Sequence, residues 1–234
     1  MTTCRGVWVF AEQVHGKLIG VSREMLGCGR EIADKLKTDL TAVLLGHDVG
    51  DLADELVRYG ADKVYLADNQ LLGFYHSEAY ATIIGELANS QRPEIFLLGS
   101  TSIGRDLAPR VAAKLCTGLT ADCMGLDVDE KGRLLQMVPA FGGNVMATVV
   151  CPRHRPQMAT VRPGVMRSPT IVARRHGEVV RIPVDLKQEA LNIKILDVIT
   201  EEPRVALIEK ADVVVAGGWG VGSADNWRLI EELA

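Results

Sequence analysis

Residues 95–106 read Ile95-Phe96-Leu97-Leu98-Gly99-Ser100-Thr101-Ser102-Ile103-Gly104-Arg105-Asp106. Four apolar residues in succession leave no polar face, so the segment reads as a strand covered on both sides. The glycines and hydroxyls that follow lead into a helix carrying Leu107, Val111 and Leu115 along one stripe. A buried strand, a glycine loop and an amphipathic helix form the repeating unit of a parallel α/β sheet.

The same unit recurs towards the N-terminus. Val7-Trp8-Val9-Phe10 is a compact apolar strand, and Ser22 is expected to cap a helix whose face holds Met25, Leu26, Ile32, Ala33 and Leu36. Thr41-Ala42-Val43-Leu44-Leu45 is a second strand, followed by a short helix with Leu52, Leu56 and Val57 that Gly60 ends. Lys63-Val64-Tyr65-Leu66 is a third, and Ser77 is expected to cap a helix with Tyr80, Ile83, Ile84, Leu87 and Ala88. Right-handed crossovers make this a doubly wound, mostly parallel α/β sheet.

The period changes after residue 117. Residues 124–128, 134–138, 145–150 and 158–161 read as short strands, parted by turn signals at 129–132, 141–144 and 152–156. They are expected to form an antiparallel extension at one side of the sheet. Residues 164–203, punctuated by Pro169, Pro183 and Pro203, read as loops and extended chain.

Composition narrows the function classes. The chain has 234 residues, 24% of them charged, and a net charge of −4, which argues against a dedicated nucleic-acid binder. No long apolar run or leader is present, so membrane insertion and secretion are not expected. The five cysteines are scattered without a C-x-x-C pair, as suits buried thiols in a reducing cytoplasm. The five histidines show no zinc spacing, and no metal is assigned.

The loop at 99–106 lies where α/β proteins bind ligands. It approaches G-x-x-x-x-G-K-[ST], but Arg105-Asp106 replaces the lysine and the hydroxyl, so P-loop chemistry lacks its parts. Helix capping with tight glycine packing competes there with a binding or interface loop. The chain closes on another candidate unit: residues 211–216 (ADVVVA) read as a strand, Gly217-Gly218-Trp219-Gly220-Val221-Gly222 as a turn, and Ser223 as the start of a helix to Ala234. Gly218 and Gly220 match the first two positions of G-x-G-x-x-G, while the third falls on Ser223.

Residues 153–181 hold seven arginines against one acid, Glu178, and read as a solvated face or protein interface. The pairs Asp122 with Asp127 and Glu201 with Glu202 have no base or metal spacing beside them and read as surface or turn residues. No catalytic constellation is found.

Taken together, the runs at 98–115, 117–122, 133–144 (RLLQMVPAFGGN), 156–165 (PQMATVRPGV), 59–64 and 211–234 resemble the alpha subunit of electron transfer flavoprotein, over essentially the whole chain. The resemblance implies an N-terminal domain over residues 1–203, related to adenine-nucleotide hydrolases, that packs on a beta subunit. It implies the start of a flavodoxin-like FAD domain over residues 204–234, with Gly218, Trp219, Gly220 and Ser223 at its opening turn. The complex would form in the cytoplasm and pass electrons from flavin-dependent dehydrogenases through FAD. The first domain would then serve chiefly for assembly.

Two departures follow. The family's FAD domain opens G-G-R-G, whereas this chain has Trp219 in place of the arginine, and losing such a charge-assisted contact costs about 1.5–3 kcal/mol. The A-S-R-A and G-Q-T-G segments that hold FAD in the family have no counterpart here, so these residues are not expected to hold the flavin alone. Two other readings stay open: a non-redox assembly module for a beta-like partner, and an adenine-nucleotide domain using the 99–105 loop.

Overall fold

The computed structural model describes residues 4–185, 191–199, 208, 211 and 213–234. The chain divides into two units, Met1–Asn192 and Ile193–Ala234.

The first unit is built on strands β1 (Val7–Ala11), β2 (Gln13–Val14), β3 (Lys17–Leu18), β4 (Leu40–Gly46), β5 (Lys63–Asp68), β6 (Ile95–Gly99), β7 (Leu119–Cys123), β8 (Gly125–Val128), β9 (Leu134–Ala140), β10 (Val145–Val149), β11 (Gln157–Val161) and β12 (Glu178–Arg181). Its helices are α1 (Gly20–Leu36), α2 (Asp51–Arg58), α3 (Ser77–Gln91) and α4 (Ser102–Lys114). Seven strands form the main sheet in the order β12-β5-β4-β1-β6-β11-β7, and every pairing is parallel. The expected doubly wound α/β sheet is therefore present.

Alternation along the strands feeds two cores. Val7, Val9, Leu40, Leu44, Ile95 and Leu97 face α1 and α2, while Trp8, Phe10, Val43, Tyr65, Phe96 and Leu98 face α3 and α4. Each fully buried Leu, Ile or Phe contributes about 1.5–3 kcal/mol, so every central strand stabilises both layers. Trp8 stands edge-on to Tyr65 and Phe96, with ring centroids at 5.4 and 5.9 Å.

Three sequence expectations change. Residues 157–161 do not belong to the antiparallel group: β11 pairs with β6 from Gln157↔Ile95 to Val161↔Gly99 and is buried throughout. Residues 119–123, not expected as a strand, form β7 at one edge of the main sheet. There the register shifts between Ala159 and Val161, and Asp122 adopts φ 59°. Residues 178–181, within the stretch read as loops and extended chain, form β12 at the other edge, paired with β5. The antiparallel extension is therefore β10-β9-β8, separate from the small antiparallel pair β2-β3, and Leu126, Val128 and Val138 pack it onto the α1 side of the core.

The caps differ as well. α1 begins at Gly20 after Ile19, and Ser22 lies inside the helix with its Oγ donating to the Glu12 carbonyl at 2.7 Å. His76, not Ser77, caps α3, its Nδ1 accepting the Ala79 N–H at 3.3 Å.

In the second unit the expected strand over 211–216 is not formed among its described residues, and Asp212 lies outside them. Residues 211 and 213–216 pair with no strand among the described residues and so have no ladder to join. The expected helix from Ser223 is broken into a 3₁₀ turn, Ala224–Trp227, and α5, Arg228–Leu233. None of the described residues in this unit is buried.

Candidate functional site

The main sheet changes direction at β1. The chain adds β4 and β5 on one side of it, then returns to place β6 on the other. The C-terminal ends of β1 and β6 thus form the topological switch point, where open α/β sheets bind ligands. Glu12 follows β1 there, and Ser100 and Thr101 follow β6.

Glu12 is only 5% exposed. Thr101 Oγ1 donates to its Oε2 at 2.6 Å and accepts the Gly104 N–H at 2.9 Å, capping α4. Burial pushes the Glu12 carboxyl up, and the Thr101 hydrogen bond partly offsets this. Gly104 has no alternative: a Cβ there would stand 1.8 Å from the Gly99 carbonyl oxygen.

Beside this cap, Asp122 receives Arg162 Nη2 at 2.5 Å and Nε at 3.2 Å. Its Oδ1 faces Arg105 Nη2 at 3.8 Å. The Arg162 hydrogen bonds hold the Asp122 carboxyl below its ordinary value, against burial. Arg105 Nε also donates to Ser100 Oγ at 3.1 Å. Thr101 therefore takes the Gly104 and Arg105 amides, through its hydroxyl and its carbonyl, and a buried acid, Glu12, sits where a phosphate would approach. This arrangement favours a structural lock over a nucleotide cradle.

Glu12 was invisible to motif reasoning. Its one signal is an acid placed directly after a five-residue apolar strand. A second grouping, His47, Asp48 and Asp68, comes from the ends of β4 and β5, with ligand-type atoms all within 4.8 Å of one another. Histidine spacing could not reveal it, because Asp68 arrives from the neighbouring strand.

The terminal turn brings Gly218, Trp219, Gly220 and Ser223 together locally. Val221 N–H donates to the Gly218 carbonyl at 3.0 Å, Gly222 N–H to Trp219 at 3.2 Å, and Ser223 N–H to Val221 at 3.0 Å. The Ser223 side chain makes no cap, and Trp219 is fully exposed. The amides of Val221, Gly222 and Ser223 are thus bonded inside the turn.

The basic stretch is partly a set of straps. Arg155 pairs with Glu94 at 2.5 Å, Arg162 with Asp122, and Arg175 with Asp62 at 2.6 Å. Asp127, for its part, pairs with Lys35 at 2.7 Å. Glu201 and Glu202 lie outside the described residues.

A family profile described as electron transfer flavoprotein domain matches residues 7–187. The chain belongs to the electron transfer flavoprotein family. It is 50% identical over 234 residues to electron transfer flavoprotein subunit alpha of Thermoanaerobacterium thermosaccharolyticum, covering 100% of this chain and 71% of that one. It is 45% identical over 232 residues to protein FixB of Bradyrhizobium diazoefficiens, covering 97% and 63%. It is 40% identical over 257 residues to acryloyl-CoA reductase electron transfer subunit beta of Anaerotignum propionicum, covering 98% and 70%. As an electron transfer flavoprotein subunit, the chain is an electron carrier rather than a catalyst. No helix among the described residues is long and apolar enough to cross a membrane.

Proposed function

We propose that the chain is the alpha-type partner in a heterodimer with a beta-type electron transfer flavoprotein subunit. Within that complex an FAD relays electrons from flavin-dependent dehydrogenases. Identity of 50% along the full chain to a subunit alpha carries this reading. The first unit supplies assembly rather than chemistry, which suits a switch point closed by Thr101 and Glu12.

Residues 204–234 begin the FAD-holding domain, with Gly218, Trp219, Gly220 and Ser223 at its opening turn. FAD supplies one- and two-electron chemistry when bound. These 234 residues by themselves do not hold it, a reading supported by the internally bonded amides of the turn and the uncharged indole of Trp219. The cytoplasm is the expected compartment, in keeping with five free thiols.

A polypeptide of residues 1–234 purified alone should be colourless. Stoichiometric flavin absorbance in that preparation would sink the reading of the turn. Co-expression with the beta-type subunit of the same genome should give a complex that co-purifies.

A further inference from the structure

The hairpin of β9 and β10 has a fixed root and a bare tip. At the root, Leu134 and Gln136 are buried. Leu134 N–H donates to Gln157 Oε1 at 2.8 Å, and Gln157 Nε2 donates to Glu94 Oε1 at 3.2 Å and the Gly132 carbonyl at 3.3 Å. This side chain ties the hairpin to β11 of the main sheet. Beyond the root, Phe141 is 86% exposed, Met146 53% and Val145 50%. Residues 134–152 contain no charged side chain, in a chain that is 24% charged. Edge strands are normally protected by charge, proline, a bulge or a covering element, and among the described residues β10 carries none of these.

The hydrogen-bonding groups on the free edge can be identified. β9 turns the Met137 carbonyl towards β8, where Met124 N–H meets it at 2.8 Å. Backbone groups alternate sides along a strand, so Gln136, Val138 and Ala140 turn theirs towards β10. Their partners are Val149, Ala147 and Val145. The N–H and C=O of Met146 and Thr148 therefore point outward, with no strand beside them among the described residues.

We propose that β10 is the docking edge for the beta-type subunit, which adds an extended, uncharged strand along residues 146–148 and covers Phe141, Val145 and Met146. This rests on the heterodimer proposed above. A charge-free surface offers nothing to an acidic peptide or a nucleic acid, and its match is an equally uncharged protein strand. A lipid surface would call for basic residues around the tip, and residues 141–150 have none. Arg153, exposed just past the run, supplies a positive rim for acidic groups at the partner's border. The anchored root presents the edge already ordered, so docking does not first have to fold it.

The test co-expresses the chain with the beta-type subunit of its own genome and measures the dissociation constant. Three variants are compared: Phe141→Asp, Met146→Lys, and Thr148→Pro, which removes an outward N–H while leaving the bonds to β9. Each should weaken the complex about tenfold or more, the loss usual for an interface anchor. The unfolding midpoint of the isolated chain should stay unchanged for Met146→Lys, a change at an exposed side chain. Wild-type affinity in both Met146→Lys and Thr148→Pro would overturn the docking edge and leave the heterodimer standing. Failure of the wild-type chain to pair at all would overturn the heterodimer, and the docking edge with it. Self-association of the wild type, or binding to phosphatidylglycerol vesicles, that these variants abolish would assign the edge to a different occupant and also overturn the proposal.

Discussion

Thr101 and Glu12 join the two strands between which the sheet reverses direction: the Thr101 hydroxyl donates to the Glu12 carboxylate at 2.6 Å while capping α4 through Gly104. The contact spans residues far apart in sequence and occupies the place where an α/β domain would otherwise hold a ligand. An acid held there in a nearly dry environment must influence stability as pH changes.

Burial pushes the Glu12 carboxyl above its ordinary value of 4.5 in the folded chain. The folded state therefore binds its proton more tightly than the unfolded chain does. The stability linked to this group is fully present below pH 4.5 and is lost as pH rises through the folded value. Glu12→Gln removes that dependence. Relative to wild type, the variant should be at its most favourable near neutral pH and lose ground on acidification, measured by urea unfolding across the range. A constant difference at all pH values would contradict the assignment.

Replacing Thr101 with valine keeps its shape and removes both hydrogen bonds. The cost should be about 1–2 kcal/mol, as for loss of an N-cap, and Thr101→Ser should recover most of it. Thermal unfolding of the three proteins measures this directly.

Gly104→Ala should be among the most damaging single changes. Its Cβ would meet the Gly99 backbone oxygen at 1.8 Å, and backbone cannot move aside as a flexible side chain can. Gly218→Ala, which meets nothing within 4 Å, is the matched control and should leave stability unchanged. Soluble yield and unfolding midpoint separate the two.

Much of this fold could be read from the chain, for a physical reason. β1, β4, β5 and β6 are apolar on both faces, and each is followed by an amphipathic helix, so local pattern and tertiary placement agree. β11 could not be placed that way. Residues 158–161 look like the hairpin strands before them, and only pairing of Ala159 with Leu97 puts them in the centre of the sheet. β12 begins with Glu178 and ends with Arg181, and such an edge strand is polar enough to read as loop. β7 is interrupted at Asp122, where the chain adopts a positive φ. At the switch point the loop residues were visible as a glycine and hydroxyl run. Glu12 was not, because its meaning arises from a hydrogen bond across 89 residues.

Asp62 holds two elements at once. Its Oδ1 accepts from Arg175 Nη2 at 2.6 Å, and its Oδ2 from Arg30 Nη1 at 2.6 Å and Leu40 N–H at 2.9 Å. Burial pushes its carboxyl up, but the Leu40 amide and Arg30 outweigh this and hold it below the ordinary value of 3.8. The sign is opposite to that of Glu12: this stability is present above pH 3.8 and is lost as pH falls through the folded value. Asp62→Asn should cost about 1–2 kcal/mol at neutral pH, discounted because the pair is partly solvated, and the cost should shrink in acid. Arg175→Ala should speed limited proteolysis of residues 171–177 with a smaller loss of stability.

The thiols should divide by burial. Cys28 is pushed up to about 12 and Cys123 to about 11, both mainly by desolvation, whereas Cys116 is exposed. Alkylation of the native chain, followed by peptide mapping, should label Cys116 while sparing Cys28 and Cys123 until denaturant is added.

The most direct measurement is the molar mass, by light scattering, of the chain co-expressed with the beta-type subunit of its own genome. A complex containing one copy of each chain is predicted. Two separate species that never co-elute, with the chain at its own mass of 25.4 kDa, would contradict the assignment of this polypeptide as an alpha-type assembly partner.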